Sequence, residues 1–262
     1  MLAQRVASAA VGLPIIILLI WAGGGWYTGA ACLIVLIAAY EFQAPHQGAM
    51  APLGVLAAVL ATAMIAGAHV GADWVLWFSI GAVTIPLVWV TLRADPGSAL
   101  GDWQWAATGA LYVGLLGAHI VLLRDLYNGR DWVYLTIFST FAADTAAFFV
   151  GRTIGTRKLA PTISPGKTVE GTIGGVAGGF AMVVLLNYFL GPRLEFALIV
   201  PLALLLPIAA VVGDLAESII KRGMNIKDAG NVIPGHGGFL DRLDSILFTF
   251  PVVYYFLIWV VA

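Results

Sequence analysis

Nine apolar stretches, near 6–22, 26–42, 52–70, 74–92, 103–123, 131–150, 170–190, 196–213 and 245–262, are each long enough, or nearly so, to cross a hydrocarbon core of about 30 Å. Such runs read as transmembrane helices. The expected fold class is therefore all-α: a polytopic integral membrane protein with about nine transmembrane helices. Composition agrees, because 61% hydrophobic against 10% charged residues, at a mean hydropathy of +0.95, leaves no polar shell for a soluble domain. The first stretch, entered through Gln4 and Arg5, has the form of a signal peptide. Eight further spans follow it, so a retained first helix is expected. No linker, low-complexity tail or repeat breaks the chain. The expectation is one membrane domain over 1–262, with plain front helices at 1–123 and a charged back half at 124–262 that carries the site.

Loops on the cytoplasmic side carry an excess of Lys and Arg. With nine spans, the side of the N-terminus collects Arg5, Arg93, Arg152, Arg157, Lys158, Lys167, Lys221, Arg222, Lys227 and Arg242, while the other side collects Arg124, Arg130 and Arg193. This places the N-terminus in the cytoplasm, the C-terminus outside, and both charged loops of the back half on the same cytoplasmic face. The formal net charge is −1 and the pI about 6.4, so no basic field points to nucleic acid; a small anion is the better partner. The single cysteine, Cys32, lies inside an apolar span, which excludes an internal disulfide and a cysteine-built zinc site.

The front half offers little chemistry. Glu41, His46, His69, Asp73, Arg93, Asp95 and Asp102 read as solvated helix ends. Trp21, Trp26, Tyr27, Trp74, Trp77, Trp103 and Trp105 stand near predicted span ends, where amphipathic rings suit the headgroup region.

Asp144 differs, because it lies within the apolar run before Arg152, too deep for a routine loop residue; an ionised carboxylate there requires a partner or a wet cavity. Next, residues 151–175 combine Arg152, Arg157, Lys158 and Lys167 with helix-stopping Pro161 and Pro165, and with the hydroxyls of Ser164 and Thr168 just ahead of a helix. That combination suits phosphate. The run from Pro161 to Thr168 nearly spells a Walker A loop, but its first glycine is a proline and no strand is expected before it, so an ATPase fold is rejected. Free amides at the helix start, its dipole and Lys167 would still suit an anion. Gly171, Gly175 and Gly179, with Gly174 and Gly178 beside them, strip a helix face down to backbone and predict close helix packing.

The densest charge lies at 214–244. Asp214, Glu217, Ser218 and Lys221 fall at i, i+3, i+4 and i+7, one face if the helix continues. After Gly223, Lys227, Asp228 and Gly230, the segment PGHGG at 234–238 cannot be regular helix, and its amides with His236 suggest an anion nest. Asp241 and Asp244 follow at i and i+3. Asp214, Asp241 and Asp244 brought together would repel unless a cation sat among them, and oxygen-only ligands favour Mg²⁺, with Mn²⁺ as a substitute. Lys221, Arg222, Lys227 and Arg242 then read as charge compensation for a polyphosphate.

From Ser218 through Lys221, Arg222, Lys227, Asp228, Gly230, Ile233, Pro234, His236, Gly237, Gly238, Phe239, Asp241, Arg242, Leu243 and Asp244, the sequence resembles the signature of the phosphatidate cytidylyltransferases, the CDP-diacylglycerol synthases. The stretch around Ser164, Pro165, Lys167, Thr168, Glu170 and Gly171 is similar to that family's second recurring segment, and Asp144 falls where its members tend to carry an acid. The resemblance implies an inner-membrane enzyme that joins CTP to phosphatidic acid in a magnesium-dependent step, giving CDP-diacylglycerol and pyrophosphate. It implies that Asp214, Asp241 and Asp244 are metal-binding and catalytic, with Ser218 and Lys221 lining the same site. Asp144, Ser164, Lys167, Thr168, Arg222, Lys227, Asp228, His236, Gly237, Gly238 and Arg242 become candidate substrate-binding residues. Membrane lipids are further expected partners, and a homodimer is compatible with the pattern. The rival readings are another membrane-embedded lipid-phosphate transferase and a cation-coupled transporter. A transporter would place its polar groups near mid-membrane, whereas this charge gathers on one face.

Overall fold

The computed structural model describes residues 2–48, 50–93, 96–190, 193–230, 232 and 237–261. Helices dominate: α1 (Leu2–Ala22), α2 (Gly24–Gln47), α3 (Pro52–Val70), α4 (Ala72–Arg93), α5 (Pro96–Gly109), α6 (Leu116–Arg124), α7 (Gly129–Thr153), α8 (Val169–Phe189), α9 (Phe196–Gly223), the single turn α10 (Leu240–Leu243) and α11 (Ile246–Phe256). A π-helical segment, Ala110–Leu115, joins α5 to α6, and a second, Leu257–Val261, extends α11. Among the described residues, eight helical spans are long and apolar enough to cross a membrane, and a shorter apolar helix, Ala10–Ala22, precedes them. The chain is an all-α polytopic membrane protein, as its apolar pattern requires.

Among the described residues the paired strands form a short antiparallel hairpin, β1 (Lys158–Ala160) with β2 (Ser164–Thr168), pairing Lys158 with Thr168 and Ala160 with Ser164. The sequence marked this stretch as non-helical through Pro161 and Pro165 and left it a loop. Two strands of three and five residues carry too little periodicity to be read in advance.

The chain divides into two compact units, Met1–Asp125 with Asp228–Leu243, and Leu126–Lys227 with Asp244–Ala262. The surprise is that 228–243, the heart of the charged signature, packs with the front helices.

In the first unit, α3 lies against α2, α4 and the π segment. Gly114 lets that segment meet the Ala61 backbone, where a Cβ would come to 2.6 Å, a contact Cβ atoms do not make. Several front-half polar residues sit where the sequence put them: His46 pairs with Asp102 at 3.6 Å, Asp73 is in the first turn of α4, and the Arg93 guanidinium lies 4.5 Å from the Trp89 ring centre. His69 Nδ1 meets Thr28 Oγ1 at 3.2 Å, and Asp95 lies outside the described residues. Trp21, Trp26, Trp74 and Trp77 are exposed, as interfacial rings should be. Trp103 and Trp105 are packed instead: their indole nitrogens donate to the Val83 carbonyl at 2.9 Å and the Phe42 carbonyl at 3.3 Å, because α5 starts at Pro96 and carries both inside a helix-helix contact.

In the second unit the glycine face of α8 behaves as predicted. A Cβ on Gly171 would meet the Ala147 carbonyl at 2.8 Å, one on Gly175 the Ala147 Cβ at 2.9 Å, and one on Gly179 the Pro207 side chain of α9 at 2.7 Å. With nothing larger than hydrogen at these positions, α7, α8 and α9 approach to backbone distance. Thr140 of α7 donates to Thr249 of α11 at 3.2 Å, a buried polar tie inside the same unit.

Candidate active site

The close approach of α7 to α8 brings the deep acid of one beside the basic hairpin that opens the other. Asp144, Arg152, Ser164, Lys167, Thr168 and Asp214 line a cavity of about 580 Å³ within the second unit. Lys167 extends from β2 to make a 2.6 Å ion pair with Asp214 on α9. The side chains are 21% and 34% exposed but the Lys167 Nζ itself is buried, so Lys167 can exchange Asp214 only for another anion at the cavity wall. Asp144 supplies a second acid to the wall and Arg152 a second base, its guanidinium resting 5.9 Å from the Phe148 ring centre. The cavity is therefore amphoteric, with bases suited to phosphate oxygens and acids suited to a cation.

The hairpin is held firmly. Glu170 accepts from the Thr156 amide at 3.1 Å, the Arg157 amide at 3.2 Å and Arg157 Nε at 3.0 Å. Arg222, read from the sequence as a phosphate ligand, donates to the carbonyls of Ile163 at 3.2 Å and Ile226 at 3.1 Å, clamping the hairpin turn to the end of α9; it is not a lining residue. The helix-start amides proposed for an anion are also engaged: Val169 donates to the Arg157 carbonyl at 2.9 Å and Gly171 to Thr168 Oγ1 at 3.1 Å. Thr168 is thus the N-cap of α8. Lys167, one residue before it, lines the cavity.

Helix α9 runs on to Gly223, ten residues past the apolar stretch, so the predicted polar face exists. Ser218 Oγ stands 3.5 Å from Asp214 Oδ1, and Lys221 Nζ lies 3.2 Å from Glu217 Oε1. Glu217 is fully buried, and Lys221 is its counter-ion. Gly213 abuts the main chain of Asp244, whose Oδ1 accepts from the Ser245 amide at 2.6 Å. Asp244 thereby enters the second unit one residue from the Asp214 step of α9.

Asp241 belongs to the first unit. Its carboxylate is 8% exposed and accepts from the amides of Ala229, at 3.1 Å, and Gly238, at 2.9 Å. Gly237, in the left-handed region at φ 81, has space only for Asp241 Oδ2 beside its Cα. The glycine amide expected to hold an external anion holds this acid of the chain itself. Lys227, Asp228 and Arg242 are exposed, and His236 with Pro234 lies outside the described residues. Among the described residues, no three acid, histidine or cysteine side chains gather as a set able to hold a metal ion. Asp214 is engaged by Lys167 and Asp241 by backbone amides.

Glu41 is the residue that sequence reasoning missed. Assigned to a solvated helix end, it is 5% exposed, because α2 continues to Gln47 rather than stopping near 42. Its Oε2 accepts from the Leu240 amide at 2.9 Å, 199 residues away in the chain. The available signal was an acid within an apolar run, which sequence reading weighed for Asp144 and not for Glu41.

Helices long and apolar enough to span a membrane, with the Lys167–Asp214 pair, Asp144 and Arg152 on the wall of one largely apolar cavity, define a membrane protein with a charged site at that wall. The sequence model of the cytidylyltransferase family matches residues 3–260, and the chain belongs to that family. It is 33% identical to a phosphatidate cytidylyltransferase of Synechocystis sp., covering 97% of this chain and 96% of that one. Relatives of the same name from Brucella suis and Pseudomonas aeruginosa are each 34% identical, covering 97% and 96% of this chain and 93% and 95% of their own.

Proposed function

We propose that this protein transfers the cytidylyl group of CTP to phosphatidic acid, giving CDP-diacylglycerol and pyrophosphate for phospholipid synthesis. The observation that carries the reading is the Lys167–Asp214 pair on the wall of the cavity shared with Asp144 and Ser164, in a chain that matches the cytidylyltransferase family almost end to end. A phosphate oxygen of the lipid bonds to the α-phosphorus of CTP while the α–β bridging bond breaks and pyrophosphate leaves. The nucleophile is already anionic, so no strong base is needed; the barrier lies in bringing two anions together and in the charge on the leaving group.

In this reading Lys167 takes a triphosphate oxygen and releases Asp214, with Arg152 and Ser164 supplying donors, a role supported by the ion pair and the shared cavity lining. The resident cation would be Mg²⁺, with Mn²⁺ as substitute. Magnesium is commonly held by one or two carboxylates together with substrate phosphates, and oxygen donors of that kind are present within the second unit in Asp214 and in Asp244 beside Gly213. When bound, it would neutralise charge on the phosphates. Ser218 supports Asp214, and Lys221 neutralises Glu217. The acyl chains stay among the membrane helices, and the site faces the cytoplasm, as the loop charges support.

Purified protein assayed with CTP, ATP, GTP and UTP against phosphatidic acid, with and without Mg²⁺, tests the reading. CTP- and Mg²⁺-dependent release of pyrophosphate is expected; equal use of all four nucleotides, or none, would sink it.

A further inference from the structure

We infer that Glu41 is a positioning residue for the reaction, gripping the 228–243 segment that carries Asp241; the inference rests on the cytidylyl-transfer reading. Three observations within the first unit support it. Glu41 is buried and takes the Leu240 amide at 2.9 Å. Gly230 and Gly238, on either side of the signature turn, both press against the same carboxylate, and a Cβ on Gly238 would come within 2.5 Å of Oε2. Asp241, three residues on from Gly238, takes the Gly238 amide at 2.9 Å and the Ala229 amide at 3.1 Å. Two carboxylates from distant parts of the chain therefore hold alternate amides of one turn, Asp241 at 238 and Glu41 at 240.

The physical logic is that the step into α10 at Gly237 and Gly238 gains little stiffness from residues that lack a side chain. Charge-assisted bonds from backbone amides to a buried carboxylate are stronger than neutral ones, and here they are supplied by a regular helix, α2. Fixing Leu240 fixes Asp241 next to it. Glu41 touches no reacting group in this scheme and acts through the signature turn. The glycines are required because a methyl group would displace the carboxylate that the turn is built around.

The test uses the full chain in detergent or nanodiscs, reading amide exchange by mass spectrometry on peptides covering 228–243 alongside steady-state kinetics. Glu41→Ala should lose exchange protection in that segment and lower kcat by about 10- to 100-fold with KM for CTP changed less than about threefold, as expected when positioning rather than binding is lost. Glu41→Gln keeps an acceptor oxygen for the Leu240 amide and should recover most of both signals. Gly238→Ala, which drives a methyl onto the carboxylate, should reproduce the Glu41→Ala pattern. Parent-like exchange in Glu41→Ala, altered exchange with unaltered kcat, or no recovery in Glu41→Gln would each overturn the inference. Should Glu41→Ala unfold throughout, Gly238→Ala decides: parent-like protection of 228–243 in that variant overturns it. A parent protein without CTP-dependent turnover would defeat the proposed reaction instead, and the exchange data would still report on the grip.

Discussion

The hairpin entering α8 and the turn entering α10 are written in nearly the same alphabet of glycine, proline, base and acid, yet they use it in opposite ways. At the hairpin, Lys167 meets Asp214 side chain to side chain, and the pair stays partly open to a cavity. At the turn, Asp241 and Glu41 are buried and bound to backbone amides. An ion pair at a cavity wall can exchange its partner for a ligand at modest cost, whereas a carboxylate that satisfies buried amides leaves them orphaned if it moves. The first arrangement is suited to recognition and the second to rigidity.

The comparison can be broken most sharply at Asp214. Asp214→Asn should retain membrane insertion and lose CTP-dependent turnover by about 100-fold or more, because the carboxylate that balances Lys167 and faces the cavity is gone. Insertion is checked by expression and size-exclusion behaviour, turnover by pyrophosphate release; parent-like turnover would remove the acid from the chemistry. Asp241→Asn should also insert and lose most turnover, but with increased exchange of the Ala229 and Gly238 amides, since the charge that strengthens both bonds is lost and one of the two oxygens shared by the Ala229 amide becomes an NH₂ donor. Unchanged exchange there would show that the turn does not depend on its acid.

Smaller effects sharpen the contrast. Gly175→Leu overpacks the α7–α8 contact at the Ala147 methyl and should destabilise the bundle by about 1–3 kcal/mol, read as a lower melting temperature. Thr168→Val removes the cap of α8 and should cost about 1 kcal/mol, with a rise in KM for CTP if the hairpin loosens. Lys158→Ala, on the exposed start of β1 and away from the cavity wall, should leave kcat within about twofold of the parent. A large loss in Lys158→Ala would mean that the whole hairpin, and not Lys167, reads the anion.

Particular residues show where sequence reading succeeds and where it stops. The glycines of α8 were legible because four-residue spacing is itself the geometry of a helix face, and Gly171, Gly175 and Gly179 pack as that spacing requires. Asp144 was legible because an acid has few reasons to lie in an apolar run, and it does line the cavity. Arg222 and Thr168 were not: their side chains suit phosphate, but a hydrogen bond to Ile163 or to the Gly171 amide suits them equally, and only neighbours in space choose. Glu41 was hidden for the same reason, its partner being 199 residues distant.

By itself, the amino-acid order determined that this chain spans a membrane with a bundle of helices, because apolar length and residue spacing are properties of a single segment. It also marked the two charged segments from which the family resemblance is read. Tertiary structure alone decided that Lys167 pairs with Asp214 while Asp241 and Glu41 bind amides, because a carboxylate's partner is set by which donors are brought within three ångströms of it, and that proximity is written nowhere along the chain.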